Sequence, residues 1–397
     1  MLTEYVVLNT AVPNKYAGEI ERRLFFVSDD IVDFRLVTQA DRIAAIEVTT
    51  ARDVGPGTLA DKIATLIETD ILRQRPVPAK VVWRSTRQRP YQADMFERLL
   101  ERGIAFEAGE GQIALGEPFL SLMDWFDLAI KRLVLRTFNA KEYRYPTLIP
   151  TAVLERCGYF DSFPHFLMFV TRLHNDIDNY RSFVKAYQDQ GNIDASVFEY
   201  CKNTDYCLPP TMCYHTYHQY RDKVIDPATN AVITSRGKSF RFESKYQHGL
   251  ERLWDFTIRE IVFLGTRDFV LDCRRRFMQR ALDFIEQLGL TGYCEVANDP
   301  FFCKQDMAEK IWSQRLLELK YELRLYVDAP RSIAVGSFNF HEGFFGEGFN
   351  IKHGDEGWVH TACVGFGLER LVYAFLCQYG LETHTWPSII REGMDHD

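Results

Sequence analysis

Gly365-Phe-Gly-Leu-Glu-Arg-Leu-Val372 is the stretch of this 397-residue chain on which the reading of the fold turns. Its two glycines let backbone approach backbone or a ligand closely, and they open a helix with Arg370 on its first turn. Such a helix start suits phosphate, but alone it is a weak sign. Upstream, Gly237-Lys-Ser-Phe-Arg-Phe-Glu-Ser244 reads as a strand on which Arg241 and Glu243, two apart, point to one face. A guanidinium there can hold a phosphate bidentately, and the carboxylate beside it can accept a hydrogen bond from a base amino group. A charged loop over residues 245–252 follows, and Trp254-Asp-Phe-Thr-Ile-Arg-Glu-Ile-Val262 reads as the antiparallel return strand. Taken alone, an Arg-x-Glu pair on a strand is most often a surface ion pair.

The cysteines form a third set. Cys213 follows Leu-Pro-Pro-Thr-Met, and Cys363 stands just before the glycine-rich helix start. Each alone reads as an inert buried thiol. Two such thiols with a carboxylate nonetheless make a zinc set that leaves one position open. All nine cysteines lie from Cys157 onward, an odd number in a large chain whose start lacks a basic and apolar leader. That pattern points to reduced thiols and a cytoplasmic location.

The chain is long enough for two domains, and no run of apolar residues is long enough to span a bilayer. Its net charge of −8 argues against a protein whose main task is gripping nucleic acid through phosphates. Residues 1–105 read as a small α/β accessory module, with strands at residues 5–8, 24–27, 43–50 and 80–84 and a helix over residues 58–72. Residues 106–397 carry the chemistry. The glycine-rich residues 102–118 read as a linker or hairpin, Phe119–Thr137 as a long amphipathic helix, and Glu142-Tyr-Arg-Tyr-Pro-Thr-Leu-Ile-Pro150 as a strand ending in prolines.

Together and in this order, the segments resemble the catalytic core of the class II aminoacyl-tRNA synthetases. The helix and proline-ended strand at 119–150 resemble motif 1, where that superfamily builds its dimer interface. The Phe-Arg-Phe-Glu strand with its return (Phe256 to Glu260) resembles motif 2, and Gly365-x-Gly-x-x-Arg370 resembles motif 3. Within the superfamily the chain resembles the amino acid:[carrier protein] ligases, relatives of the atypical zinc-dependent seryl-tRNA synthetases, over about residues 105–397. Gly158-Tyr-Phe-Asp-Ser-Phe-Pro-His165, Leu208-Pro-Pro-Thr-Met-Cys-Tyr214, Ala297-Asn-Asp-Pro-Phe-Phe302, Leu319-Lys-Tyr-Glu-Leu323, Gly336-Ser-Phe-Asn-Phe-His341 and His360-Thr-Ala-Cys-Val-Gly-Phe-Gly-Leu-Glu-Arg370 carry this resemblance. It departs at Gly343-Phe344, where a more polar pair is expected, and at Cys303-Lys304, in place of Gly-Arg.

The resemblance implies an α+β fold, an antiparallel sheet flanked by helices, with the small N-terminal domain attached. It implies a ligase that activates an amino acid with ATP and passes it to the phosphopantetheine thiol of a carrier protein. Zn²⁺ would be held by Cys213, Glu260 and Cys363, with Mg²⁺ as counter-charge on the triphosphate. Arg241 would meet the α-phosphate, Arg370 the γ-phosphate and Glu243 the adenine amino group, while Phe256 would stack on the adenine ring. Asn339 and Glu322 are candidates for the substrate end of the pocket. Carrier proteins are usually acidic, so the basic run holding Arg274, Arg275 and Arg276 is the candidate docking face. A homodimer through the motif 1 region is expected, and tRNA is not the expected partner. The alternatives are an atypical synthetase acting on tRNA and a non-catalytic paralogue that binds a partner.

Overall fold

The computed structural model describes the chain apart from residues 56, 74–79, 89, 227, 229, 244–248, 299–306, 330, 356 and 395–397. Part of the charged loop, most of the Ala297-Asn-Asp-Pro-Phe-Phe302 stretch and the Cys303-Lys304 pair therefore lie outside the described residues.

Leu2–Pro13 (β1), Ile31–Gln39 (β2) and Arg42–Thr50 (β3) form an antiparallel sheet in the order β1-β3-β2. Its buried face packs on Ile20 and Leu24 of the helix Ala17–Leu24 and on a helix over Thr58–Thr65 that widens into a π-helical stretch at Leu66–Ile71. The expected strand at residues 24–27 is instead the end of the first helix and the turn after it. Ile20 and Leu24, one helical turn apart, are both fully buried, and that spacing outweighs the strand propensity of the Phe-Phe-Val run. β2 escapes a sequence reading because Asp33 and Arg35 sit amid its apolar residues.

The large sheet comprises Val81–Arg84 (β4), Lys141–Tyr143 (β5), Ala231–Phe240 (β6), Asp255–Gly265 (β7), Gly292–Val296 (β8), Lys320–Tyr326 (β9), Ser332–Phe340 (β10) and His360–Gly367 (β11). Its order is β4-β8-β9-β10-β11-β7-β6-β5, antiparallel except where β5 runs parallel to β6. The expected strand ending at Arg84 thus forms as β4, but it pairs with β8 in the large sheet. Met95, Leu99 and Ile104 likewise belong to the large core, whereas the first core runs from Val6 to Ile71. Packing therefore places the seam between the two bodies before β4 and not at residue 105. Residues 102–118 hold the expected hairpin, Ala105–Gly109 with Gln112–Leu115.

Four helices position the site: Phe119–Thr137 (α1), Cys213–Tyr220 (α2), Arg267–Gln287 (α3) and Leu368–Tyr379 (α4). Helix α1 buries Phe119, Leu122, Met123, Phe126, Ile130 and Val134, an apolar stripe at helical spacing. With α3 and α4 it covers one face of the sheet, over Ile261 and Phe263 of β7. The opposite face receives α2, whose Cys213, Tyr214 and Tyr217 pack with Val262 and Leu264. Alternation along β7 sorts these residues between the two layers.

An ion pair is buried inside the α1 layer. Arg259 on β7 is 2% exposed, and its Nε and Nη2 donate to the two carboxylate oxygens of Asp127 on α1 at 2.6 and 2.7 Å. Its Nη1 donates to Glu142 on β5 at 2.9 Å. This clamp ties the helix and strand expected as motif 1 to the return strand of motif 2. Asp127→Ala is expected to lower stability by about 3 kcal/mol, because Arg259 stays buried with half its partners gone. Urea titration would measure it; a loss under about 0.5 kcal/mol, the size of an ordinary surface change, would show that the clamp carries no weight.

Candidate active site

Two chemistries meet in one cleft of about 500 Å³ lined by β7, β9, β10, β11, the residues just beyond β6 and the starts of α2 and α4. The first is a donor cluster. Glu260 on β7 and Cys363 on β11 share the sheet face opposite Arg259, because Val262 and Cys363 are paired across the strands and Glu260 lies two residues along. Cys213 reaches them from the first residue of α2, brought there by the Leu-Pro-Pro-Thr-Met turn. One ligand atom from each of the three lies within 4.8 Å of the others, and all three residues are buried.

Hydrogen bonds aim this cluster. The Cys213 N–H donates to Glu260 Oε2 at 2.8 Å, and the Thr211 hydroxyl donates to both oxygens of that carboxylate at 3.2 and 2.9 Å. The Asn339 amide donates to Cys363 Sγ at 3.4 Å, and His341 Nε2 lies 3.6 Å from the same sulfur. Burial, followed by the neighbouring Cys363 charge, pushes the Glu260 carboxyl up to about 8. Hydrogen bonding from Cys213 holds the Cys363 thiol well below its usual value against the cost of burial, while burial pushes Cys213 up. Two sulfurs and a carboxylate, buried and short of positive charge, fit zinc with one open position.

The second chemistry is cationic. Arg241 and Glu243 do not sit on β6, which ends at Phe240, but just beyond it, where the Arg241 N–H still reaches Trp254 O at 3.0 Å. The expected strand therefore stops short, and a tight turn with the Glu243 N–H on Arg241 O aims both side chains into the cleft. The Arg241 guanidinium lies between the rings of Phe166 and Phe256, 5.8 and 5.6 Å from their centroids, and its Nε donates to Pro210 O. Burial alone would raise the Glu243 carboxyl, but Arg252, Arg370 and Arg241 more than offset it and hold it below the usual range. Burial brings Arg370 down to about 10, with Glu243 opposing and two neighbouring arginines adding to the fall.

The structure thus brings together Arg241, Glu243, Phe256, Arg370, Cys213, Glu260, Cys363, Asn339 and Glu322 in one cleft. Glu322 lines it from β9 while bonded to Lys320 and Arg324 at 3.3 and 3.1 Å. The candidate docking run on α3 divides. Arg274 turns inward, donates to Glu318 O and Leu319 O at 3.1 Å, and lies over the rings of Tyr321 and Phe340. It is not part of an exposed face. Arg275 and Arg276 are exposed, each bonded to Asp272.

Several residues that line the cleft or bond to its lining escape the sequence reading. Arg252 donates to Glu243 at 2.7 Å. It stands four residues before Phe256 at the end of the charged loop, and that spacing to the return strand is the signal that could have found it. Glu369 is buried on the first turn of α4 and accepts the Thr257 N–H with both oxygens at 2.8 Å. Its place beside Arg370 in the glycine-rich motif is visible in the sequence; its role is not. Thr211 and His341 have no signal beyond closeness to Cys213 and Asn339.

No protein-family model matches the chain. It is 30% identical over 305 residues to amino acid–[acyl-carrier-protein] ligase 1 of Bradyrhizobium diazoefficiens, covering 76% of this chain and 90% of that one. It is 29% identical over 296 residues to the type-2 serine–tRNA ligase of Methanococcus aeolicus, covering 72% of this chain. The matched region is 56% of that enzyme, so the chain spans little more than half the length of this relative. Among solved structures, M. kandleri SerRS in complex with A. aeolicus tRNASec matches with a TM-score of 0.73 at 24% identity. That match covers 99% of this chain and 77% of that one, a likeness of fold. Fold and sequence together define a protein of the class II aminoacyl-tRNA synthetase type. Within that class, the chain belongs to the amino acid–[acyl-carrier-protein] ligase family.

Among the described residues no helix is long and apolar enough to cross a membrane. Cys213→Ser and Glu260→Gln are each expected to lose stoichiometric zinc, read by elemental analysis of the purified protein. Full retention in both would remove the metal site. Binding displaces protons from Glu260 and Cys213, whose pKa values are raised, so apparent zinc affinity should climb between about pH 6 and pH 8, roughly tenfold per unit for each proton. A competition titration with a chromophoric chelator reads that slope.

Proposed function

We propose that this chain joins an amino acid to AMP at the expense of ATP and then passes the aminoacyl group to the phosphopantetheine thiol of a carrier protein. The observation that carries the reading is the meeting, in one cleft, of a Cys–Glu–Cys donor set with three arginines gathered about a buried glutamate. In the first step a carboxylate oxygen of the amino acid attacks the α-phosphorus. The bond from that phosphorus to the bridging oxygen breaks, and pyrophosphate leaves with the electron pair. In the second step a thiolate attacks the acyl carbon, a thioester forms and AMP departs.

The chain's residues divide this work. Arg241 meets the α-phosphate, where negative charge builds in the transition state, so its worth is greatest there. Arg370 holds the γ-phosphate and retains the pyrophosphate end. Glu243, held ionised by its arginines, accepts from the adenine amino group, and Phe256 offers its ring to the base. Asn339 and Glu322 bound the substrate end. Cys213, Glu260 and Cys363 would hold zinc, which when bound supplies a Lewis-acid position for the substrate's free α-amino group. Arg275 and Arg276 offer the exposed charge for an acidic carrier, and the α1–β5 region is the proposed homodimer seam.

A second acceptor, tRNA, is favoured by one observation: the likeness of fold to M. kandleri SerRS runs over nearly the whole chain, its N-terminal body included. The first experiment is amino-acid-dependent ATP–pyrophosphate exchange over a panel of amino acids. One amino acid should give a clear signal, and Arg241→Ala or Arg370→Ala should reduce it by more than about a hundredfold, the scale of a lost transition-state contact. Silence across the panel, or near-normal activity in both variants, overturns the reading. Arg275→Glu with Arg276→Glu should then slow transfer to an acidic carrier while sparing exchange. Transfer to tRNA with none to the carrier would decide for the second acceptor.

A further inference from the structure

The N-terminal body reaches the catalytic cleft through an aromatic contact. Phe26 follows the helix Ala17–Leu24, whose Ile20 and Leu24 are fully buried in the N-terminal core, so its backbone is held firmly. Its side chain leaves that core and packs in the second core of the large body. There it meets His165 edge-on at 4.8 Å and Phe166 edge-on at 6.4 Å.

Phe166 is no ordinary core residue. It lines the cleft, and Arg241 lies over its ring at 5.8 Å. Its carbonyl accepts the N–H of Phe242 at 3.2 Å, the residue between Arg241 and Glu243. Ring and backbone of Phe166 thus both bear on the turn that aims the two nucleotide-facing side chains. His165, its neighbour in the chain, is close enough to Glu243, Arg23 and Arg241 to respond to all three charges. Four layers follow in series: the N-terminal core, Phe26, the 165–166 platform and the Arg241–Glu243 turn.

We propose that the N-terminal body is a positioning element of the catalytic cleft, with Phe26 as the wedge that braces Phe166 beneath Arg241. This rests on the activation chemistry proposed above for its kinetic readout, but not for its structural one. A guanidinium that must meet charge developing on phosphorus loses rate when its support loosens, even where the nucleotide still binds. Phe26 touches no reacting group and acts only through Phe166.

The test pairs Phe26→Ala with Phe26→Leu, which keeps an apolar wedge. In Phe26→Ala, kcat for pyrophosphate exchange should fall about five- to tenfold, the scale of one lost edge-to-face aromatic pair, with KM for ATP little changed. Amide hydrogen exchange at Phe242 should quicken by a similar factor while amides of β1–β3 keep their protection, and Phe26→Leu should recover most of both. Unchanged Phe242 protection with unchanged kcat overturns the brace. If Phe26→Ala unfolds the N-terminal sheet, Phe26→Leu takes its place, with a two- to threefold slowing expected on the same aromatic scale and none overturning the proposal. If the wild-type protein is silent in exchange with every amino acid, the activation reading falls, and Phe242 protection alone decides the brace.

Discussion

The cleft depends on which way two successive residues of β7 face. Arg259 turns to α1 and is clamped by Asp127 and Glu142; Glu260 turns the other way and joins the two cysteines. A slip of one residue in register would exchange them, placing a guanidinium among thiols and a carboxylate against Asp127. The second placement would bury like charges together, and the first would fill the donor set with a group that cannot ligate a metal. The ion pair on the far side of the sheet therefore acts as a register pin for the donor set on the near side. Such a pin needs both partners in fixed positions, which the packed stripe of α1 and the parallel pairing of β5 with β6 provide.

Charge is divided along the cleft as well. At one end, sulfurs and a carboxylate crowd together, with Glu260 pushed up to about 8 by burial and by its neighbours. At the other, Arg241, Arg252 and Arg370 gather about the carboxylate of Glu243, and burial with mutual repulsion brings Arg370 down to about 10. Each end is short of the opposite charge. A polyphosphate would relieve the second and a metal cation the first, so such ligands would supply the missing half of two electrostatic balances.

Much of this was legible because the segments carrying the chemistry are also the ones with strong local signals. Glycines before Arg370, the apolar stripe of Phe119–Thr137 and the Phe-Arg-Phe-Glu run all show themselves within a few residues. Less visible were features settled by distant partners. Arg252 belongs to Glu243 only once the loop folds back, and Asp127 reads as one more polar residue on a helix until Arg259 is placed opposite. Arg274 looks identical to Arg275 and Arg276 in the sequence, and only the helical rotation separates the half-buried one from the exposed pair. At β4, propensity marked the strand but not the sheet it joins, because pairing across more than two hundred residues leaves no trace in a local pattern. The helix end at Leu24 was misread for the opposite reason, a local aromatic run overruled by burial of Ile20 and Leu24.

The order of strands in the large sheet has a consequence for how the chain acquires its structure. Neighbours such as β11 and β7, or β8 and β4, are separated by long stretches of chain, and the closing strand β11 inserts between β10 and β7 near the C-terminus. Loops of that length must be closed before their contacts can stabilise anything, which makes such topologies slow to fold. During synthesis Cys213 and Glu260 emerge long before Cys363, so the donor set does not exist until β11 has left the ribosome. Until then neither Cys213 nor Glu260 has the partner that completes the set, so the site is a product of the finished sheet and not of any local segment.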